Sequence, residues 1–189
     1  MESIASLAEA AAAGDSTATG ELLRLVWPDA FRIAWSVLKE KTAAEDAAQD
    51  ACARVLTEIA TLRRPQSFRL WFYRTVVNES NRRRRSERRL VALSSEHYAS
   101  DASTDDRLDV RRALDSLETA LRVAIVLHYY FGLNSAEIAR VVSATPVTVR
   151  WRLMVARRRL RAILAVPEAQ ACQTGTSTGG YGDESQAIG

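Results

Sequence analysis

Apolar side chains return every three or four residues along most of this chain, the spacing that lays them on one face of an α-helix. Strand-like alternation is nearly absent, and Ala, Leu, Arg and Glu dominate while Gly and Pro are sparse. The pattern predicts an all-α fold. A first helix runs from about Ile4 to Ala13 and stops at Gly14-Asp15; a second covers about Thr17 to Val26. Pro28 fits the first turn of a third, which reaches Leu38 with Ala30, Phe31, Ala34, Trp35 and Leu38 in one stripe. Thr42 with Glu45 has the form of a capping box for a fourth helix running to about Leu62. Pro65 disfavours helix in the residue before it, so Arg63 to Gln66 reads as a loop. Ser67 then caps a fifth helix through Phe68, Trp71, Phe72, Thr75 and Val76.

That helix runs into Arg82-Arg83-Arg84-Arg85 and Arg88-Arg89. From Ser94 to Asp106 the chain turns to Ser, Ala and Asp with few large apolar groups, the composition of a flexible acidic linker, placed at 91–107. Periodicity returns with Leu108, Leu114 and Leu117 on one helix and Leu121, Ile125, Val126 and Tyr129 on the next. After Pro167 the chain is rich in Gly, Thr, Ser and Gln, so 166–189 is expected to be a disordered tail. The organisation is two small helical domains, 1–90 and 108–165, joined by that linker.

Ser135 to Arg150 carries a helix-turn-helix pattern. Ser135 caps a short helix, Ala136 to Val142, whose Ile138, Ala139 and Val142 face inward, and small Ala139 lets the next helix cross closely. Ser143-Ala144-Thr145 is the turn. Thr145 caps and Pro146 opens the last helix, running to about Leu164 with Val149 and Leu153 inward. Arg150, Arg152, Arg157, Arg158 and Arg159 lie on exposed positions. Such a helix enters the major groove with its first residues at base edges, while flanking arginines hold phosphates. The planar arginine fork matches guanine O6 and N7. A cationic solvated helix in an ordinary bundle is the plainer alternative. Cap, turn length and small residue agree with one another and favour the motif.

Composition narrows the function classes. Of 189 residues 47% are hydrophobic, enough for a core, and the net charge of +3 identifies no partner by itself. Cys52 and Cys172 are far apart and have no metal-ligand spacing, so neither a zinc site nor a disulfide framework is expected. No cofactor is expected. No apolar run reaches the roughly 18 residues that span a bilayer, and Met1 to Ala13 lacks a basic start before its apolar residues. A cytoplasmic protein without membrane insertion is the expectation. A glycine-rich phosphate loop, a nucleophile elbow and metal-ligand spacing are all missing. The two histidines, His97 in the linker and His128 beside Tyr129 in an apolar helix, do not suggest an enzyme or a small-molecule substrate.

Ala44-Glu45-Asp46-Ala47-Ala48-Gln49-Asp50, then Ser67-Phe68-Arg69-Leu70-Trp71-Phe72-Tyr73-Arg74 and the arginine run, resemble the second conserved region of the extracytoplasmic-function sigma factors of the sigma-70 family. The helix-turn-helix, preceded by Leu114-Asp115-Ser116-Leu117-Glu118, resembles their fourth region. Together the blocks cover roughly residues 4 to 165, in the family's order.

The resemblance implies roles. Asp46, Gln49 and Asp50, at i, i+3 and i+4 on one helical face, match the positions that dock on the clamp helices of RNA polymerase. The loop and helix carrying Arg63, Arg64, Ser67, Trp71, Arg74 and Asn78 match the reader of the –10 element. There an aromatic at Trp71 stacks on an unpaired base and arginines, with Arg82 and Arg83, follow the backbone. Trp71 is equally compatible with the core, and Phe72 is assigned to the core. Thr145, Val147, Thr148, Arg150, Trp151, Arg152, Arg157 and Arg158 match the reader of the –35 duplex. Core polymerase, through its β′ clamp helices and β flap, promoter DNA and an anti-sigma factor are the implied partners. A polymerase-independent helix-turn-helix regulator is the alternative, but it leaves the Asp46/Gln49/Asp50 face without a role. The chain departs from the family pattern at Ala43, Cys52, Leu56, Ser143, Trp151, Met154 and Val155. Ser143 stands where the turn commonly has Gly, and Trp151 where a small polar residue is usual.

Overall fold

A computed structural model describes residues 3–62, 64–91 and 106–164, with side chains at 88, 90, 91 and 106–109 left out of account. Among the described residues eight α-helices follow one another: α1 (Ile4–Ala12), α2 (Ser16–Leu38), α3 (Lys41–Glu58), α4 (Phe68–Val91), α5 (Asp106–Ser116), α6 (Thr119–Tyr129), α7 (Ser135–Val142) and α8 (Pro146–Leu164). Short 3-10 turns at Ile59–Thr61 and Pro65–Ser67 join α3 to α4. No strand occurs among the described residues. The linker expected at 91–107 is narrowed at both ends, because α4 continues to Val91 and α5 begins at Asp106. Its remainder, and the tail expected at 166–189, lie outside the described residues.

The second and third expected helices are one. α2 runs unbroken through Pro28. Proline removes one N–H and crowds the preceding turn. Ala18, Leu22, Val26, Ala30, Ile33, Ala34 and Val37 nevertheless form one continuous buried stripe on both sides of it. Burial of that stripe against α1, α3 and α4 offsets the local defect. The expected cap of α3 is also corrected. Glu40, not Thr42, caps the helix, with its carboxylate accepting from the N–H groups of Thr42 at 2.8 Å and Ala43 at 2.5 Å. The helix ends at Glu58 rather than Leu62, tightening into the 3-10 turn. Its inward face is almost all alanine: Ala44, Ala47, Ala48 and Ala51 have no exposed surface.

α1 to α4 form the first module around Leu22, Ile33, Val55, Phe68, Phe72 and Val76, all fully buried. α5 to α8 form the second around Leu127, Ile138, Val141 and Val149. The modules share one continuous core. Phe131 enters beside Tyr73 with ring centroids 4.9 Å apart, and its carbonyl accepts from Arg69 Nη2 at 2.8 Å. Tyr73 in turn donates to Asp29 at 2.6 Å. Burial, reinforced by that carboxylate, pushes the tyrosine hydroxyl far above its ordinary pKa, so it stays a donor. Two cations over rings, Arg32 on Tyr130 at 4.6 Å and Arg111 on Trp35 at 4.7 Å, span the same seam.

Candidate nucleic-acid interface

α3 places Asp46 and Asp50 one turn apart, with Gln49 exposed beside them. Arg83 of α4 grips both: its Nη1 lies 2.9 Å from Asp46 Oδ2 and its Nη2 lies 3.2 Å from Asp50 Oδ2. Arg82 reaches Asp50 at 3.4 Å. The acidic face and the start of the arginine run, read from the sequence as two separate sites, therefore adjoin. Glu79, 5% exposed, holds the cluster from below and takes Arg54 Nε on one oxygen and Arg82 Nε on the other, each at 2.7 Å. Neither Glu79 nor Arg54 was singled out from the sequence. The available signal was a lone carboxylate three residues before Arg82 in a basic helix. Partly exposed pairs of this kind contribute about 1 kcal/mol or less each, so the network orients side chains more than it stabilises the fold.

α4 has two sides. Tyr73 and Val77 are buried, and Arg69 is bonded to the second module across the seam. Arg74 and Asn78 are exposed on another side. Trp71 is half-buried, its ring 5.9 Å from Phe68 and tilted against it, so it packs on the core with one part left open. Phe72 is fully buried, as assigned. Arg64 and Ser67 are exposed where the 3-10 turn feeds the helix, and Arg63 lies outside the described residues.

α7 and α8 form the helix-turn-helix. Asn134, not Ser135, caps α7. Its side chain accepts from Ala136 and Glu137, and Glu137 returns a carboxylate to the Asn134 N–H at 2.9 Å. Asparagine's short carbonyl matches the cap geometry, and the glutamate completes the box. The turn passes through Ser143 at φ +52°, the left-handed region, which explains why Gly would suit this position. Thr145 caps α8 as expected, accepting from the Thr148 N–H at 3.1 Å, and the two hydroxyls are 2.9 Å apart.

The residues assigned to the –35 duplex divide into two groups. Val147, Arg150, Trp151 and Arg158 are exposed. Thr145 and Thr148 are engaged with each other. Arg152 is half-buried, in a cleft it lines with Asn81 of α4 and Val142 of α7. Arg157 turns back: its Nη2 lies 3.2 Å from His128 Nε2 and its guanidinium lies over the Tyr129 ring at 5.5 Å. His128 Nδ1 faces the Leu133 carbonyl at 2.9 Å, so a neutral ring with its proton on Nδ1 satisfies both contacts. His128 thus packs beside Tyr129, 4.9 Å between centroids, as the sequence suggested.

Among the described residues no group of His, Cys, Asp and Glu is arranged to hold a metal, and no helix is long and apolar enough to cross a membrane.

A helix-turn-helix joined to a helical module that bears a basic, aromatic helix and an acidic face defines a two-part DNA-binding protein. The sigma-70 region 2 family model matches residues 22–90 and the sigma-70 region 4 model matches residues 107–160. The chain is 30% identical over 164 residues to the ECF RNA polymerase sigma factor SigM of Mycobacterium tuberculosis, covering 85% of this chain and 84% of that protein. It is 30% identical over 178 residues to SigE of Mycolicibacterium smegmatis, 86% of this chain and 69% of that one. Among solved structures it resembles CnrH in complex with the cytosolic domain of CnrY, at a TM-score of 0.65 and 25% identity, over 88% of this chain and 99% of that one. The sigma factor RpoE of Bartonella quintana, solved with the anti-sigma factor NepR, shares the fold at a TM-score of 0.67 and 24% identity, over 78% and 97% of the two chains. The chain belongs to the extracytoplasmic-function sigma factors of the sigma-70 family, a class of transcription initiation factors that are generally not enzymes.

Proposed function

We propose that residues 1–90 seat this sigma factor on core RNA polymerase and read the –10 element, while residues 108–165 read the –35 duplex. Asp46, Gln49 and Asp50 face the polymerase clamp helices. Arg64, Trp71, Arg74 and Asn78 meet the opened strand, and Arg63 belongs with them by its place in the sequence. The observation that carries the reading is the adjacency of an acidic face on α3 to the arginines of α4, with Arg83 touching both acids. An acidic face complements a basic partner helix and a basic helix complements phosphate, so one side of a single module presents both surfaces. Joining two weak DNA contacts in one chain makes the second effectively intramolecular. The protein works in the cytoplasm with the polymerase and carries no catalytic chemistry of its own.

An anti-sigma factor is the proposed inhibitory partner. An apolar groove of about 320 Å³ between the modules, edged by Arg32, Arg111 and Tyr130, supports this.

The test is transcription in vitro with purified core enzyme. The wild-type chain directs initiation at a promoter that core enzyme alone ignores, and Asp46→Lys/Asp50→Lys lowers affinity for core at least tenfold while the fold persists. Duplex binding that is tight and sequence-specific without polymerase, with no initiation in its presence, would instead support a polymerase-independent regulator.

A further inference from the structure

α8 turns by about 100° per residue. Its core side carries Val149, Leu153 and Ala156, all buried. The side directly opposite carries Val147, Trp151, Met154 and Arg158. Three large apolar side chains therefore line the outward face of a helix otherwise dense in arginine, with Val147 at 66%, Trp151 at 57% and Met154 at 60% exposure. Exposing such a stripe to water is unfavourable unless something covers it.

The polar groups that would read bases are scarce on that face. Thr145 and Thr148 are closed on each other, and Arg157 is drawn back to His128. Over the first two turns, the part of a recognition helix that meets base edges, Arg150 is the exposed cation beside the apolar stripe. The major groove offers one apolar group, the thymine 5-methyl, and one strong bidentate site for arginine, guanine O6/N7.

We infer that this sigma factor recognises its –35 element chiefly through thymine methyl groups packed on Val147 and Trp151, with Arg150 supplying a guanine contact and Arg158 a phosphate contact. Duplex DNA is the occupant to which the stripe commits, because exposed arginines border it: Arg150 and Arg161 lie along one edge and Arg158 within it, while Arg159 on the other edge is paired with Glu118 at 3.2 Å. The inference rests on the assignment of residues 108–165 to the –35 duplex and names what that surface reads.

The experiment uses the full chain with bacterial core RNA polymerase. Templates randomised upstream of the start site are enriched for transcription, and each thymine of the selected –35 segment is then replaced by deoxyuridine, which removes the methyl alone. One or two replacements should weaken holoenzyme binding about threefold to fourfold each, the value of one buried methyl. Trp151→Ala should weaken binding roughly tenfold and abolish sensitivity at one of those positions, while Trp151→Phe retains it.

A selected element without thymine, or indifference of the wild type to every replacement while initiation persists, overturns this inference and leaves the promoter role intact. A Trp151→Ala loss equal on all sequences overturns it too, by making Trp151 a backbone contact. Absence of initiation from every template overturns the promoter role and this inference together. Should Trp151→Ala misfold, the deoxyuridine series on the wild type decides alone.

Discussion

Arg122 Nε lies 2.6 Å from the carbonyl oxygen of Ser36, a hydrogen bond from the second helical module to the first. The same guanidinium donates from Nη1 to Leu117 O at 2.8 Å and reaches Asp115 O at 3.5 Å. These carbonyls lie at the C-terminal ends of α2 and α5, where helix dipoles favour a cation. Arg122 is 3% exposed. Burial lowers its pKa, and the Asp115 carboxylate acts the other way. Lys39 adds a bond to the Asp115 carbonyl from the α2 side.

Arg122→Met keeps the bulk and removes every donor. The Ser36 and Leu117 carbonyls then stay buried without this partner, at about 1–3 kcal/mol each. The variant should be less stable by about 2–4 kcal/mol in urea titrations followed by tryptophan fluorescence. A change below about 0.5 kcal/mol would contradict this account of the seam.

Ser143→Gly should raise stability by about 0.5–1 kcal/mol, because glycine accepts the left-handed φ of +52° without a Cβ penalty. Ser143→Val should lower it by more than 1 kcal/mol. Thermal melting of the three proteins orders them Gly, Ser, Val; any other order removes backbone strain as the explanation.

Glu40 supplies a pH signature. The Ala43 N–H and then the Thr42 N–H hold its carboxylate below its ordinary pKa. A carboxylate with a lowered folded pKa stabilises fully above its unfolded value, and the effect fades as pH falls through the folded one. Glu40→Ala should therefore be about 0.5–1 kcal/mol less stable at pH 7. The gap should close well below pH 4.5 and shrink in high salt, since the group is exposed. Parallel denaturation curves at pH 7 and pH 3 test it.

Burial pushes the Cys52 thiol up to about 11 from 9.0, which lowers its thiolate fraction near pH 8 about a hundredfold. Alkylation by iodoacetamide, followed by mass spectrometry of the Cys52 peptide, should run at least a hundredfold slower in the native protein than in urea. Equal rates would show that partial burial does not hold the Cys52 thiol protonated.

Long periodic segments were legible in the sequence because their apolar spacing is redundant: α6, α7 and α8 lie where Leu121, Ile138 and Val149 put them. The turn at Ser143-Ala144-Thr145 and the cap at Thr145 followed from local chemistry alone. Pro28 misled because a local penalty was weighed without the tertiary stripe that overrides it. Glu40 and Asn134 were missed as caps because residues beside them, Thr42 and Ser135, have equally good local credentials. At the candidate site, spacing placed Asp46, Gln49 and Asp50 on one face. The pairing of Asp46 and Asp50 with Arg83, 33 residues or more along the chain, is a contact between helices that no local pattern records. Arg122 drew no reading from the sequence, because its partners, the Ser36 and Leu117 carbonyls, are backbone groups that no side-chain pattern marks.

Along most of its length α3 meets the helices it lies against through the methyl groups of Ala44, Ala47, Ala48 and Ala51, with Val55 closing the far end. A seam built from alanine has no rotamers to shuffle, so the helix has little slack to roll or slide. The outward acids of α3 are thereby held at a fixed offset from Arg83 of α4, and the two helices meet a partner as one surface.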